Sequence, residues 1–183
     1  MPTSQPFNSS FTSGRRASSG DKSSPARPPV ASLEPTDAEL LLHRARNAAY
    51  AEAAGGRLGR GLALLQDALD QEPMSHDLLA DMAALLLAAG QYDRAVSYAQ
   101  RALKLISHHG PSLYTLGFAL SAQGQLMPAI EVLTRLTRGG PRESLLAEAP
   151  DLAPLVQVEL DRLLQKVATE LSGASDTDAE ITS

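Results

Sequence analysis

The sequence contains no cysteine and no tryptophan, and aromatic residues make up only 4% of its 183 positions. Without cysteine, neither a disulfide framework nor a thiolate metal site is possible. No run approaches the roughly 18 consecutive apolar residues of a membrane-spanning helix, and the N-terminus lacks the apolar core of a signal peptide. These absences favour a cytoplasmic protein. The hydrophobic 43% is mostly Ala and Leu, which are strong helix formers and predict an all-α fold.

The two ends differ in composition from the middle of the chain. Residues 1–35 are rich in Ser and Pro and show no apolar periodicity. Such a segment cannot bury enough surface to offset its ordering entropy, so we expect it to be disordered. It carries more basic than acidic residues, so the rest of the chain is more acidic than the net charge of −5. Residues 172–183 are acidic and polar, and they are expected to form a second disordered tail.

The N-terminal tail has three possible roles. It is an inert leader, or a transit peptide, since it is Ser-rich, contains Arg and is poor in acidic residues. The third possibility is a phosphorylation site at Ser18, because Arg15 and Arg16 match the preference of basophilic kinases.

The middle of the chain, residues 36–171, repeats itself every 34 positions. Thr36 and Glu39 have the spacing of a capping box, which opens the first helix. A glycine recurs where each first helix is expected to end, and two further columns hold small residues that let paired helices approach closely. The glycines are Gly56, Gly90 and Gly124; the small columns are Ala49, Ala83 and Gly117, then Gly61, Ala95 and Ala129; the units close at Pro73, Ser107 and Pro141.

These columns resemble the tetratricopeptide repeat, a helix–turn–helix unit of 34 residues. The repeats are residues 42–75, 76–109 and 110–143, and the first is degenerate, because Glu52 falls at a usually apolar position and Gly61 replaces the common alanine. The resemblance implies a right-handed α-α superhelix in which neighbouring units cover each other's apolar faces.

A final amphipathic segment, residues 151–171, is predicted to cap the stack. Its apolar stripe consists of Val156, Leu160, Leu163, Leu164, Val167 and Leu171. The opposite face carries Glu159, Asp161, Arg162, Gln165 and Lys166. A helix that is apolar inward and charged outward suits a terminal cap. The alternative is a dimerisation helix with the same stripe, which would make the chain a homodimer.

The resemblance also implies a concave binding face lined by the first helix of each unit. The residues expected there are Arg46, Tyr50, Asp77, Ala80, Ala84, Leu87, Tyr114, Phe118 and Ser121, with His43, Ala53 and Pro111 beside them. The centre of this face is small and apolar, which favours a hydrophobic or amphipathic segment of another protein as the ligand. The chain is therefore predicted to be an adaptor or chaperone. In an alternative interpretation, Tyr114 and Phe118 only pack against the capping helix.

Two subclasses of the family are relevant to the chemistry of this face. Members that hold acidic C-termini of heat-shock chaperones use Lys and Asn to clamp carboxylates. Here Tyr50 and Asp81 replace the asparagines, and Pro111 and Thr115 replace cations, which argues against such a clamp. In size and charge the chain is instead similar to the small acidic chaperones of bacterial type III secretion, and this gives the alternative function.

Catalysis is disfavoured, and we expect no metal, cofactor or small-molecule substrate. The candidate side chains are His43, His76, His108 and His109. His108 and His109 are adjacent and point in different directions on a helix, so they form a poor chelate. The segment Gly55–Gly61 lacks the spacing and the Lys-Ser/Thr of a phosphate loop.

A role as a nucleic-acid-associated regulator is the alternative of a different class. It depends on a cluster of arginines in the first unit, namely Arg44, Arg46, Arg57 and Arg60. Because the rest of the chain is acidic, these side chains are better explained as solvated surface or as contacts to an acidic partner.

Overall fold

The computed structural model describes residues 37–180, and all regular secondary structure in that range is helical. The helices are α1 (Asp37–Ala54), α2 (Leu58–Gln71), α3 (His76–Ala88), α4 (Tyr92–Leu105), α5 (Gly110–Ala122), α6 (Leu126–Arg135), α7 (Gly139–Glu148) and α8 (Ala153–Glu180), with one 3₁₀ turn at Pro150–Leu152. The predicted tail 1–35 and Thr36 of the predicted capping box lie outside the described residues. None of the helices described is both long and apolar enough to cross a membrane.

Successive helix pairs stack on one another in chain order. Helix α1 packs on α2 and α3, α3 packs on α4 and α5, and α5 packs on α6 and α7. Helix α8 packs on α6 and closes the stack. Two clusters of buried residues run between these layers, one shared by α1 to α5 and the other by α3 to α8. The predicted right-handed α-α superhelix is therefore confirmed.

The recurring glycines form the turns between the paired helices. Gly56, Gly90 and Gly124 have φ angles of 77°, 70° and 75°, a region that a β-carbon disfavours. The residue after each glycine donates its backbone N–H to a carbonyl five residues earlier, as in Gln91 N to Leu86 O at 2.9 Å. This bond satisfies a carbonyl that the end of the helix leaves without a partner. The predicted role of the glycine column is confirmed.

The columns of small residues permit unusually close contact between paired helices. A β-carbon added to Gly117 would lie 2.5 Å from Leu133 Cδ2, and one added to Gly61 would lie 2.6 Å from the carbonyl oxygen of Ala49. The alanines of both columns are fully buried, namely Ala49, Ala83, Ala95 and Ala129. The sequence prediction that these positions admit little bulk is confirmed.

The third unit ends earlier than the sequence predicts. Helix α6 stops at Arg135, and Pro141, predicted to end it, lies in the first turn of α7. Proline is tolerated there because the first turn of a helix needs no backbone N–H donor. The boundary predicted at residue 143 is therefore wrong, and residues 139–148 form a helix that the sequence did not indicate.

The terminal helix is longer than predicted. It begins at Ala153, after the 3₁₀ turn, and continues to Glu180. Most of the segment 172–183, predicted to be a disordered tail, is thus helical in the structure. Extending an existing helix by one residue adds a hydrogen bond without a new nucleation cost, so a polar sequence can prolong it.

The face that α8 turns inward differs in part from the prediction. Val156, Leu160 and Leu163 are buried as expected, but Leu164 and Leu171 are 49% and 66% exposed. Helix α6 has 10 residues, or about 15 Å, so it supports only the first part of α8. Glu159, predicted to face outward, has a side chain only 15% exposed. The first half of α8 is the cap, and the remainder extends past it.

Candidate functional site

A groove of about 440 Å³ crosses the first helices of the three units and ends against α7 and the 3₁₀ turn. The residues that line this groove are Arg46, Tyr50, Asp77, Ala80, Asp81, Ala84, Leu87, Ala88, His109, Pro111, Tyr114, Thr115, Glu148, Ala149 and Leu152. The structure places all but two of the nine residues predicted for the binding face in this lining. The exceptions are Phe118 and Ser121.

The floor of the groove is small and apolar. Ala80, Ala84 and Leu87 follow one face of α3 at helical spacing and are partly exposed. Tyr114 of α5 forms the adjacent side, and its ring stacks on Phe118 with centroids 4.2 Å apart and planes at 27°. Burial, followed by the nearby charge of Glu159, raises the pKa of Tyr114. Tyr114 therefore borders the groove, whereas Phe118 supports it from the core cluster that includes the capping helix.

Ser121 is covered by the capping helix. It is 9% exposed, and its hydroxyl donates to Glu159 Oε1 and accepts from Arg162 Nη2 at 2.8 Å. Glu159 also accepts hydrogen bonds from Arg162. These bonds, and then the bond from Ser121, lower the pKa of Glu159. This contact anchors α8 on α5. The repeat spacing does not show it, because the partner lies 38 residues away in a segment without the repeat.

Two further residues expected beside the face also lie outside the groove. His43 borders a smaller hollow with Arg46 and Asp77, and Ala53 packs against the core cluster of the first units. Pro111 does line the groove, as expected.

One end of the groove holds a network that joins α1 to α3. Arg46 Nη1 donates to Asp77 Oδ2 at 3.0 Å, and its Nε and Nη2 both donate to Asp81. The Tyr50 hydroxyl donates to Asp81 Oδ1 at 2.8 Å, and burial, together with the charge of Asp81, raises the pKa of Tyr50. The side chain of Asp81 is only 8% exposed. The one guanidinium in the groove is therefore already bound by two carboxylates.

A pair of histidines lies beside this network at the start of α3 and α5. His109 caps α5: its Nδ1 accepts from the Ser112 N–H at 3.2 Å, so the ring proton is on Nε2, which lies 2.9 Å from Glu148 Oε2 and donates to it. The ring of His76 meets His109 edge-on, with centroids 4.2 Å apart. Its Nε2 is buried without a hydrogen-bond partner. Burial, and then the proximity of His109, lower the pKa of His76.

Sequence reasoning missed the residues that α7 and the 3₁₀ turn contribute, which are Glu148, Ala149 and Leu152. The 34-residue spacing gives no signal for them, because it would place Pro150 in the helical column of Met82 and Leu116. The link from His109 to Glu148 spans 39 positions and depends on the early end of α6. Only the packing of α7 on α5 brings these groups to the groove.

The groove has the chemistry of a binding surface. Its lining places three carboxylates, one guanidinium, one imidazole and two phenol groups around an apolar floor. Within residues 37–180, no group of three or more His, Asp or Glu side chains has the arrangement of a metal site.

Comparison with known proteins agrees with this architecture. Residues 86–149 match the family model described as tetratricopeptide repeat. Residues 86–149 therefore carry the sequence pattern of tetratricopeptide repeats. The match includes α4, α5, α6, α7 and the last residues of α3, so it contains Leu87 of the floor and Glu148 on the α7 side of the groove, but not Ala80 or Ala84. No curated protein matches the chain by sequence.

Solved tetratricopeptide-repeat structures share the fold at low sequence identity. The Sgt2 domain from Aspergillus fumigatus has a TM-score of 0.62 and 20% identity, covering 78% of this chain and 87% of that one. The TPR2B domain of yeast Sti1, in a complex with pHsp70, has a TM-score of 0.59 and 12% identity, covering 69% and 98%. The Yersinia enterocolitica type III secretion chaperone SycD, in complex with a peptide of the translocator YopD, has a TM-score of 0.57 and 18% identity, covering 68% and 93%. At these identities the likeness concerns the fold.

Proposed function

We propose that this tetratricopeptide-repeat chain is a non-enzymatic interaction module, located in the cytoplasm, that holds a peptide or helical segment of another protein in the groove. It acts as an adaptor or chaperone for that protein. The observation that carries the proposal is the groove itself, whose floor of Ala80, Ala84 and Leu87 is apolar, partly exposed and bordered by polar side chains. A site of this kind gains affinity from an apolar anchor and orientation from its polar border.

The size of the groove fits such an anchor. A volume of about 440 Å³ lies within the range of pockets that enclose most of a small ligand. Burying one Leu-sized side chain there contributes about 1.5–3 kcal/mol, so two anchors contribute about 3–6 kcal/mol and the polar border has to supply the rest of the affinity of a peptide ligand. The yeast Sti1 and SycD structures support the proposal, since their repeats are seen with pHsp70 and with a translocator peptide respectively.

A chaperone of type III secretion is the more specific candidate, favoured by the likeness to SycD and by the apolar floor. Such a chaperone shields an aggregation-prone secreted protein, whereas an adaptor binds a stable one. Co-expression with candidate translocators distinguishes the two, because a chaperone substrate becomes soluble only in the presence of this chain.

The nucleic-acid alternative is weakened by the pairing of its arginines. Arg57 bonds to Glu52, and Arg46 bonds to Asp77 and Asp81. A salt-sensitive gel shift with the full chain would support that alternative instead.

The experiment that tests the proposed function is selection of a displayed library of randomised 12-residue peptides on the full chain. The wild type is expected to enrich sequences with apolar anchors. Ala84→Glu, which places a charge on the apolar floor, is expected to weaken the binding of selected peptides by roughly tenfold or more, because an unpaired charge is costly to desolvate. Its helicity and melting temperature should change little.

The matched control is Ala63→Glu, at an exposed position of α2 outside the groove. It should bind selected peptides like the wild type. Equal loss in both variants, or no enrichment by the wild type, would contradict the proposal; unfolding of Ala84→Glu would show that Ala84 belongs to the core.

A further inference from the structure

The charge of the groove is unbalanced. Its lining contains the three carboxylates of Asp77, Asp81 and Glu148 but only one guanidinium, that of Arg46. The surplus is two negative charges. A cationic ligand is attracted to such a surface, and an anionic one is repelled.

The surplus belongs to two specific carboxylates. Asp81 is almost fully buried and receives bonds from both Arg46 and Tyr50, so its charge is matched within the protein. The side chains of Asp77 and Glu148, in contrast, are 61% and 50% exposed. We call these two carboxylates the acidic rim. They are the groups that a ligand in the groove can reach.

Both groups lie along one side of the groove, where α3 and α5 begin. Asp77 adjoins His76, the ring of His76 contacts that of His109, and His109 Nε2 is 2.9 Å from Glu148. This chain of contacts runs across the starts of α3 and α5. From there the floor extends along α3 to Ala84 and Leu87. Seven to ten helical residues separate Asp77 from these anchoring positions, which is about 10–15 Å along the axis.

The helix ends at the rim act in both directions, and only the end of α7 favours a cation. The positive ends of α3 and α5 point to it, but side-chain caps from Ser75 and His109 already satisfy them. Asp77 in the first turn of α3 offsets the dipole further. Helix α7 ends at Glu148, so its negative end and its last carbonyls adjoin the same rim.

We propose that the groove selects protein segments that combine an apolar anchor with a lysine or arginine, the cation binding the acidic rim of Asp77 and Glu148. This inference rests on the proposed function and specifies its ligand. The distance from Asp77 to the floor positions Ala84 and Leu87 corresponds to three or four residues of an extended segment. The basic residue therefore stands three or four positions from the anchor, and segments with an acidic residue at that place are rejected.

The test uses the peptides selected from the same 12-residue library on the full chain. Lysine and arginine should be enriched at least twofold over the input at three or four positions from the apolar anchor, and Asp and Glu should be depleted there. A synthetic copy of one selected peptide should bind more weakly by roughly two- to fivefold for each rim carboxylate neutralised, as expected for partly exposed ion pairs. The variants are Asp77→Asn and Glu148→Gln, whose amides can still accept hydrogen bonds from Arg46 and His109.

Controls separate this proposal from the function on which it rests. Glu131→Gln, an exposed carboxylate on α6 outside the groove, should leave binding unchanged. A lysine-to-glutamine version of the peptide should lose its sensitivity to Asp77→Asn, Glu148→Gln and added salt. Apolar enrichment without a basic preference would overturn this inference and leave the proposed function intact. Absence of any enrichment would overturn both.

Discussion

Because α1 and α2 are in close contact at Gly61, we expect replacement of this glycine by alanine to destabilise the protein. Alanine is the common residue of this family at that position, and alanine favours a helix over glycine by about 1 kcal/mol. Here, however, a β-carbon on residue 61 would lie 2.6 Å from the carbonyl oxygen of Ala49 and 3.3 Å from Leu85 Cδ1. The nearer group is backbone, so it cannot rotate away, and α1 itself has to move.

The expected cost follows from this geometry. Overpacking that forces a backbone shift destabilises by about 1–3 kcal/mol, which exceeds the gain in helix propensity. With the propensity gain of about 1 kcal/mol subtracted, Gly61→Ala should lower the free energy of unfolding by up to about 2 kcal/mol. For a domain of this size, a loss of 1 kcal/mol lowers the melting temperature by about 3 °C.

The same helix supplies a control. Gly59, two residues earlier in α2, has nothing within 4 Å of its would-be β-carbon. Gly59→Ala should be neutral or stabilise the protein by up to about 1 kcal/mol. Urea denaturation followed by circular dichroism measures both variants. If Gly61→Ala is as stable as Gly59→Ala, the close approach of α1 and α2 does not limit residue 61, and the reasoning is refuted.

Two further predictions concern the polar network and the histidine pair. Asp81→Ala should lower the free energy of unfolding by about 1.5–3 kcal/mol, since it removes charge-assisted bonds to Arg46 and Tyr50. Asp81→Asn should lower it less when both variants are unfolded in urea. An equal loss in the two variants would contradict this role of the Asp81 charge. The pKa of His76 is lowered in the folded protein, so the folded state favours the neutral ring. The free energy of unfolding therefore has its full value above the unfolded pKa of about 6.5, and it decreases as the pH drops below that pKa. His76→Phe should lessen the fall in unfolding free energy from pH 7.5 to 5, whereas an unchanged fall would exclude His76 as a source.

The sequence determined the units of the stack. The glycines at intervals of 34 set the turns, because few residues other than glycine adopt positive φ readily, and the small columns set the distance between helices. These are local requirements, so they appear as residue types at fixed positions. The same spacing placed most of the groove, since α1, α3 and α5 present equivalent faces.

Only the tertiary structure decided how the stack ends and what charge the groove carries. The repeat stops after α6, and α7 takes a position that no column predicts, which brings Glu148 against His109 and turns Ser121 under α8. Whether Arg46 faces a ligand or Asp81 also depends on packing between units. A side chain's type fixes its charge, but its partner is fixed by contacts between residues distant in the chain, and these arise only when the helices pack.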